Sequence, residues 1–292
     1  MKDSPRTAEV VTTCAQIRAV VTAAQREGKT VGLIPTMGAL HAGHLSLASL
    51  ARSQCDVTVV TIFVNPTQFG PGDDFAEYPR TLEADLAALA PLGVDWVFAP
   101  PTEEMYDSRH TTSISVGGVT EPLEGRHRPG HFSGVATIVL KLLGAAPADI
   151  AYFGQKDYQQ SLLIRRMVAD LKVPTEICVC PIVREPDGLA MSSRNVYLSD
   201  AERMQALALS RGLSEAHGLF AGGQTSAAAI RSRIREVLAS AKIDPIDYVA
   251  LVDPENLTEV DEVDESTIAL IAVHVGKTRL IDNHVLGERW AG

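Results

Sequence analysis

The stretch Val31-Gly32-Leu33-Ile34-Pro35-Thr36-Met37-Gly38-Ala39-Leu40-His41-Ala42-Gly43-His44 leads from an apolar run, through a turn, to a helical pattern. A buried strand that turns into a helix offers backbone N–H groups and the positive end of a dipole to an anion. His41 and His44 add two donors that can follow a phosphate into its transition state. The stretch therefore predicts a nucleotide triphosphate site with chemistry at a phosphate. The alternative is a packed or solvated histidine pair.

Strand and helix signals alternate on both sides of this stretch. Strands are predicted at Val31–Ile34, Val57–Val64, Trp96–Phe98, Thr111–Val116, Ile150–Phe153 and Glu176–Val183. Helices are predicted at Ile17–Arg26, His44–Ser53, Leu82–Ala90, Val135–Leu143 and Ser161–Leu171. Val- and Ile-rich strands separated by amphipathic helices predict an α/β fold, with a parallel, Rossmann-like sheet covered by helices on both faces. Ligands of such sheets gather at the carboxyl ends of the strands.

The pattern changes after residue 183. Ser199 and Glu202 form a capping box for a new helix, and Gly222-Gly223 separates it from a second one. Strands at Tyr248–Val252 and Ile268–Val275 follow. We therefore predict a nucleotide- and substrate-binding domain over residues 1–185 and a smaller C-terminal α+β domain over residues 186–292.

Composition excludes several classes of protein. The chain has 292 residues, of which 46% are apolar and 21% charged, and its formal net charge is −10. An acidic chain has no general basic surface for nucleic acid, so we predict no nucleic-acid partner. No apolar run reaches the length that spans a membrane, and Met1–Pro5 lacks the apolar core of a signal peptide, so we expect a cytoplasmic protein. Cys14, Cys55, Cys178 and Cys180 lack the spacing of a zinc site and are predicted to be free thiols.

Two further motifs carry chemistry. Gly154-Gln155-Lys156-Asp157 follows a predicted strand and begins a helix, and Lys156 could place a charge on a phosphate. Met191-Ser192-Ser193-Arg194 offers two hydroxyls and a permanent cation, which suit a leaving pyrophosphate. Each motif alone is also typical of an ordinary helix start or a capping loop. Together with the histidine pair they indicate adenylyl transfer, carried by positioning and electrostatics.

The attacking group is predicted from a third strand end. Asn65 and Gln68 follow the strand at Val57–Val64, and Gln159 and Gln160 follow the lysine motif. Neutral amides can orient a carboxylate and hydroxyls without neutralising the carboxylate, which keeps the acceptor nucleophilic. A carboxylic acid is therefore the expected acceptor.

The chain closely resembles the pantothenate synthetase (pantoate–β-alanine ligase) family, within the nucleotidyltransferases that share the HIGH signature. The resemblance rests on 35–44, 63–70, 78–81, 128–132, 152–160, 191–195 and 278–283. It implies a two-step ligation. The carboxylate of pantoate attacks the α-phosphate of ATP in the presence of Mg²⁺, and the amine of β-alanine then displaces AMP from pantoyl adenylate. A homodimer, and no membrane partner, are also expected.

Site residues carry over from the family one by one. The resemblance implies ATP contacts by Pro35, Thr36, Met37, Gly38, Ala39, Leu40, His41, Ala42, Gly43, His44, Gly154, Gln155, Lys156, Asp157, Val183, Met191, Ser192, Ser193 and Arg194. His44 is the proposed acid, His41 assists at the phosphates, and Lys156 and Arg194 complete the catalytic set. Gln68, Gln160 and Asn65 are expected to bind pantoate, with Gln68 also bordering the β-alanine site. Asp85 is the candidate metal residue, with Mg²⁺ held mainly by ATP oxygens and water.

Several alternatives stay open. Transfer of adenylyl to a phosphate acceptor would need more positive charge near Asn65 and Gln68. A tRNA synthetase is disfavoured by the acidic composition, and a nucleotide-binding regulator would need no acceptor pocket. Residues 70–74 are a candidate lid or an ordinary surface loop. Arg126-His127-Arg128 and His131 border the site or form a solvated basic turn.

Overall fold

The computed structural model describes residues 7–71 and 74–290, which form two compact units. The first unit runs to Gly154 and continues over Gln159–Cys180. The second unit comprises Gln155–Tyr158 and the described residues from Pro181 onward. The four residues that follow the fifth strand therefore group with the C-terminal part of the chain.

The first unit is built on a six-stranded parallel sheet with the strand order β1-β4-β3-β2-β5-β6. Its strands are β1 (Glu9–Val11), β2 (Val31–Thr36), β3 (Val57–Ile62), β4 (Trp96–Phe98), β5 (Ile150–Gly154) and β6 (Glu176–Cys180). β2 pairs with β3 on one side and with β5 on the other, so its carboxyl end lies in the middle of the sheet edge. The predicted parallel α/β sheet is confirmed, and the predicted nucleotide turn follows a central strand.

Helices flank this sheet on both faces. They are α1 (Cys14–Arg26), α2 (Ala42–Gln54), α3 (Leu82–Leu89), α4 (Thr102–Met105), α5 (Glu124–His127), α6 (His131–Ala145) and α7 (Tyr158–Leu171). α6 is the most buried of these, because apolar or small residues occupy almost every one of its positions. Two apolar clusters form, one around Leu33 and α6 and the other around Ile34 and α2. Alternate residues of β2 therefore face opposite layers of the core, as the pleat of a strand requires.

The sequence prediction differs from this architecture in several places, and the short helices α4 and α5 were not predicted. Residues 111–116 were predicted as a strand, which is wrong. This segment forms no strand, and its Ile114 N–H donates to the Thr137 hydroxyl of α6. β1 was not predicted, because three residues give no local strand pattern and the strand that pairs with them, β4, is distant in the chain. Most predicted helices begin a few residues late.

The second unit has a three-stranded antiparallel sheet, formed by β7 (Ile246–Val252), β8 (Ile268–Val275) and β9 (Thr278–Val285) in that order. The predicted capping box of Ser199 and Glu202 begins α8 (Asp200–Ala221), and α9 (Ala227–Ser240) follows. Their apolar faces share a core with β8 and β9 that includes Leu213, Ile234 and Ile271. The predicted α+β composition of this part is confirmed. β9, which the sequence had shown only as a motif, completes the sheet.

No helix within residues 7–71 and 74–290 combines the length and apolar character needed to cross a membrane. The four cysteines are free, and burial raises the pKa of Cys180 to about 12, with the neighbouring Cys178 adding to the shift. Cys180 is therefore a protonated, inert core thiol. Residues 1–6, which include the stretch predicted to lack the apolar core of a signal peptide, lie outside the described residues.

Candidate nucleotide and acceptor site

The residues Met37–His44, which we call the histidine turn, connect β2 to α2. His41 is the N-cap of α2, and its Nδ1 accepts the Gly43 N–H at 3.2 Å. The Nδ1 of His44 accepts the His41 N–H at 3.4 Å, so the two histidines form a reciprocal capping box. Because each Nδ1 accepts a backbone proton, each neutral ring carries its own proton on Nε2. The rings, whose centroids are 4.1 Å apart, therefore present two N–H donors at the N-terminus of α2.

A buried carboxylate holds the first half of this turn. Asp85 of α3 is 2% exposed, and it accepts the Ala39 N–H at 3.1 Å and the Leu40 N–H at 2.8 Å. Gly38 and Ala39 both have positive φ angles, +82° and +50°, which L side chains rarely adopt. The hydrogen bonds to Asp85 stabilise this unusual backbone.

Asp85 is poorly placed to be a metal ligand. Its two oxygens are already engaged by backbone N–H groups, and the Thr81 hydroxyl lies 3.4 Å from Oδ2. Within the part of the chain that the structure describes, no group of three or more His, Cys, Asp or Glu residues is arranged to hold a metal ion. The donor set therefore does not fit a protein-bound Mg²⁺, which prefers several oxygen ligands.

The residues Asn65–Phe69, which we call the acceptor turn, follow β3 and contain a short 3₁₀ helix (Pro66–Gln68). Gln68 is 9% exposed, and its Nε2 donates to the Met37 sulfur at 2.8 Å. The predicted acceptor amide and the predicted nucleotide turn are therefore in direct contact within the first unit.

Asn65 determines which way the Gln68 amide faces. Asn65 Nδ2 donates to Gln68 Oε1 at 3.2 Å, and also to the Gly134 carbonyl at 3.2 Å. Its Oδ1 accepts from the Tyr106 hydroxyl at 2.8 Å and from the Thr67 hydroxyl at 3.0 Å. Burial raises the pKa of Tyr106, which keeps that hydroxyl a neutral donor. Since Gln68 Oε1 is occupied by a donor, its Nε2 is the atom that can donate to a carboxylate.

The acceptor turn is also packed tightly against α6. A Cβ added at Gly134 would lie 2.3 Å from the Thr67 carbonyl oxygen, so only glycine permits this approach. His131 Nδ1 lies 2.8 Å from the Gln68 carbonyl oxygen, and Arg128 Nη1 lies 3.1 Å from His131 Nε2. Arg128 and His131 therefore support the backbone of Gln68.

The second unit contains the residues Gln155–Asp157, which form a 3₁₀ turn that we call the lysine turn. Asn283 of β9 donates from Nδ2 to the Gln155 carbonyl at 3.0 Å and to the Lys156 carbonyl at 2.9 Å. The next residue, Tyr158, donates its hydroxyl to the Pro254 carbonyl at 2.9 Å. The lysine turn thus follows β5 in sequence but is held by Asn283 of the C-terminal sheet.

The motif Met191–Arg194 lies at the end of a small hairpin. Met191 N–H donates to the Val183 carbonyl at 3.0 Å, which brings together two residues predicted to bind ATP. Ser192 caps the 3₁₀ helix Ser193–Tyr197 by accepting the Arg194 N–H, whereas α8 is capped by Ser199. Arg184 in this hairpin forms a buried bidentate ion pair with Asp282 of β9, at 2.7 and 3.1 Å.

Comparison with known proteins is consistent with this geometry. The sequence matches the family model described as Pantoate-beta-alanine ligase over residues 9–285. A pantothenate synthetase from Koribacter versatilis is 50% identical over 277 residues, covering 95% of this chain and 95% of the relative. The crystal structure of pantothenate synthetase from Thermus thermophilus is similar with a TM-score of 0.91 and 43% identity, covering 95% and 99% of the two chains.

The chain belongs to the pantoate–β-alanine ligase family. The resemblance drawn from the sequence motifs is thereby confirmed, as are the fold class and the assignment to a family of ligases. A family member from Francisella tularensis, 33% identical with a TM-score of 0.79 over 97% of this chain and 99% of that one, was crystallised as a complex with β-γ ATP and β-alanine.

The remaining predicted residues of this pantoate–β-alanine ligase family member are the two glutamines of α7 and the candidate lid. Gln160 is half-buried in the first turn of α7. Gln159 is a structural residue, because its amide donates to the Val119 and Pro122 carbonyls and accepts the Glu124 N–H. Of the candidate lid 70–74, residues 72 and 73 lie outside the described residues. The structure reveals four supporting residues that the sequence motifs did not assign, namely Tyr106, Gly134, Asp282 and Asn283.

Proposed function

We propose that this chain catalyses the ATP-dependent condensation of pantoate with β-alanine. In the first step the pantoate carboxylate attacks the ATP α-phosphate, which forms pantoyl adenylate and releases pyrophosphate. In the second step the amine of β-alanine attacks the acyl carbon, releases AMP and leaves pantothenate. The observation that carries this proposal is the contact of Gln68 with Met37, which joins a carboxylate-orienting amide to the histidine turn.

The histidine turn supplies electrostatic stabilisation. The Nε2–H groups of His41 and His44 and the N-terminus of α2 are donors for phosphate oxygens. His44, the proposed acid, acts on the departing pyrophosphate as a hydrogen-bond donor and keeps its proton, because a neutral imidazole is too weak an acid to release it. The proposed nucleotide contacts in the first unit are Pro35, Thr36, Met37, Gly38, Ala39, Leu40, His41, Ala42, Gly43, His44 and Gly154. Donors fixed before the reaction need no reorganisation as charge develops.

The second unit supplies the cations. Lys156 and Arg194 are proposed to neutralise the polyphosphate, together with Gln155, Asp157, Val183, Met191, Ser192 and Ser193. We also propose a functional division into residues 1–185, which bind nucleotide and pantoate, and residues 186–292, which contribute the Met191–Arg194 segment. The lysine turn belongs to residues 1–185 in this division, although it groups with the second compact unit. Mg²⁺ is proposed to enter as part of the MgATP substrate, since Asp85 is committed to the backbone of the histidine turn.

Gln68 and Gln160 are proposed to hold pantoate, with Asn65 contributing through the orientation of Gln68. An amide donor leaves the carboxylate its charge and hence its nucleophilicity. An arginine would neutralise the charge and lower the nucleophilicity of the carboxylate. Substitution of Gln68 by Ala should raise the KM for pantoate and lower turnover. An unchanged KM and an unchanged turnover would remove Gln68 from the acceptor site.

The decisive experiment is exchange of labelled pyrophosphate into ATP. Carboxylate adenylation predicts exchange that requires pantoate and does not occur with 4′-phosphopantetheine in its place. Transfer to a phosphate acceptor predicts the reverse. Release of AMP that depends on β-alanine tests the second step. A nucleotide-binding regulator would show neither reaction. A homodimer in the cytoplasm is proposed as well, and light scattering of the purified chain tests the dimer.

A further inference from the structure

Asn283 binds the lysine turn with two hydrogen bonds to consecutive carbonyl groups. Both N–H groups of its side chain are used, one for Gln155 O and one for Lys156 O. Asn283 is 1% exposed, and its Oδ1 has no hydrogen-bond partner among the residues that the structure describes. The reverse orientation would point Oδ1 at two carbonyl oxygens, so the contacts allow only one orientation of the amide.

A second residue of β9 fixes the neighbouring nucleotide segment. Asp282, which is also buried, binds Arg184 through both carboxylate oxygens, and Arg184 lies beside Val183 in the hairpin that leads to Met191. Asp282 Oδ1 additionally accepts the Asn283 N–H at 2.8 Å. Two consecutive residues of one strand therefore hold the two segments that carry the cations Lys156 and Arg194.

We infer that Asn283 is a positioning residue for Lys156 and that it sets the rate of adenylation through the backbone of the lysine turn. This inference rests on the proposed function, in which Lys156 binds the polyphosphate. Lys156 has a long, flexible side chain, and fixing its backbone limits the volume that its ammonium can reach. A displacement of about 1 Å in a catalytic group can lower a rate by about 100-fold.

The sharpest variant is Asn283→Asp, which has the same shape but replaces Nδ2 with a carboxylate oxygen that faces both carbonyl groups. We expect it to lower kcat for pantoate-dependent ATP–pyrophosphate exchange by about 10- to 100-fold. The KM for pantoate should change by less than about threefold, because pantoate is assigned to the acceptor turn. Asn283→Ala removes both donors without adding repulsion, so it should show the same pattern with a smaller loss. It serves as the test if Asn283→Asp folds poorly.

A double-mutant cycle with Lys156→Ala separates positioning from general destabilisation. If Asn283 acts through Lys156, Asn283→Asp should cause little further loss in the Lys156→Ala background. Leu280→Ala is the matched control, because Leu280 is a buried residue of the same strand that contributes only to the core. Its effect on kcat should be small and the same in both backgrounds.

Two results would overturn the inference alone. One is an active wild-type chain that loses exchange on Lys156→Ala but is unaffected by both Asn283 variants. The other is an equal loss from Asn283→Asp with and without Lys156. A wild-type chain that shows no pantoate-dependent exchange would instead overturn the proposed function, and the inference with it.

Discussion

The histidine turn and the lysine turn look alike in sequence, but they are held in opposite ways. Each follows a strand of the parallel sheet and leads into a helix. The histidine turn presents backbone N–H groups to an acceptor, the Asp85 carboxylate of its own unit. The lysine turn presents carbonyl groups to a donor, the Asn283 amide of the C-terminal sheet.

This difference follows from what each turn contributes. The N-terminus of a helix is itself positive, so a negatively charged hydrogen-bond acceptor suits the N–H groups of the histidine turn that do not face the ligand. The lysine turn contributes a side-chain cation, and its carbonyl groups are the backbone atoms that need a partner. An acidic residue suits the first turn and a neutral amide suits the second.

The largest effect is expected from removing the cation of the lysine turn. Lys156→Ala should lower kcat for pantoate-dependent exchange by about 10³-fold, because it removes a charge that offsets the developing charge on the polyphosphate. Steady-state exchange rates at saturating ATP measure this loss. The control is Lys277→Ala, which removes an exposed lysine of the same unit. Equal rates for the two variants would contradict a phosphate role for Lys156.

The acceptor turn sharpens the comparison, because it is held by close packing rather than by one side chain. Gly134→Ala places a methyl group 2.3 Å from the Thr67 carbonyl oxygen and must displace the turn that carries Gln68. We expect kcat/KM for pantoate to fall by about 100-fold, with a smaller effect on the KM for ATP.

Gly144 provides the matched control for this variant on the same helix. A Cβ there meets nothing within 4 Å, so Gly144→Ala should leave kinetics unchanged and stabilise the helix by about 0.5–1 kcal/mol. If Gly134→Ala and Gly144→Ala had the same kinetics, tight packing of α6 against the acceptor turn would be irrelevant to catalysis.

These contacts mark the limit of prediction from sequence. The strand–turn–helix junctions could be predicted, because apolar runs, glycines and capping residues are local signals. The roles of Asp85 and Asn283 could not be predicted, because their hydrogen-bond partners are distant in the chain. The partners of Asp85 lie 46 and 45 residues away, and those of Asn283 lie 128 and 127 residues away. Family resemblance assigned Asp85 to a metal, whereas its surroundings show a carboxylate that holds backbone. Residues 111–116 have strand composition but no neighbouring strand, which composition alone cannot reveal.

Asp85→Asn tests the acceptor side of the comparison. The new amide can accept only one backbone N–H and turns its own N–H₂ toward the other, so the free energy of unfolding should fall by about 2 kcal/mol. Turnover should fall by about tenfold as the turn at Ala39 relaxes. Denaturant titration and exchange kinetics measure the two effects.

Asp95→Asn separates stability from activity in this test. Asp95 also accepts a backbone N–H, from Thr58 at 2.9 Å, but it supports a strand rather than the histidine turn. It should lower stability without lowering turnover. If both variants reduced turnover in proportion to stability, Asp85 would have no specific effect on the turn.

The smallest effect on activity is expected from a pH-dependent loss of stability in β9, the strand that holds the lysine turn. His284 follows Asn283 and is buried against Trp290, and burial lowers its pKa from 6.5 to about 4, with the nearby His217 and Arg184 adding to the shift. Protonation therefore favours the unfolded chain. The stability contributed by the neutral ring is complete above about pH 6.5 and is lost as the pH falls toward 4. Between pH 7 and pH 5 the loss should be about 2 kcal/mol.

Hydrogen exchange can localise this effect. On acidification, protection of the amides in β9 should fall after correction for the intrinsic pH dependence of exchange, while protection in β2 should stay nearly constant. His284→Phe keeps an aromatic ring against Trp290 but cannot titrate. Between pH 7 and pH 5, its free energy of unfolding should therefore fall by about 2 kcal/mol less than that of the wild-type chain. An unchanged pH dependence would assign the acid sensitivity to carboxylates instead. Asn283 is adjacent to His284 on the same strand, so weakening of β9 by acid should loosen the lysine turn. The histidine turn should loosen only at lower pH, because its contacts to Asp85 involve no histidine ring.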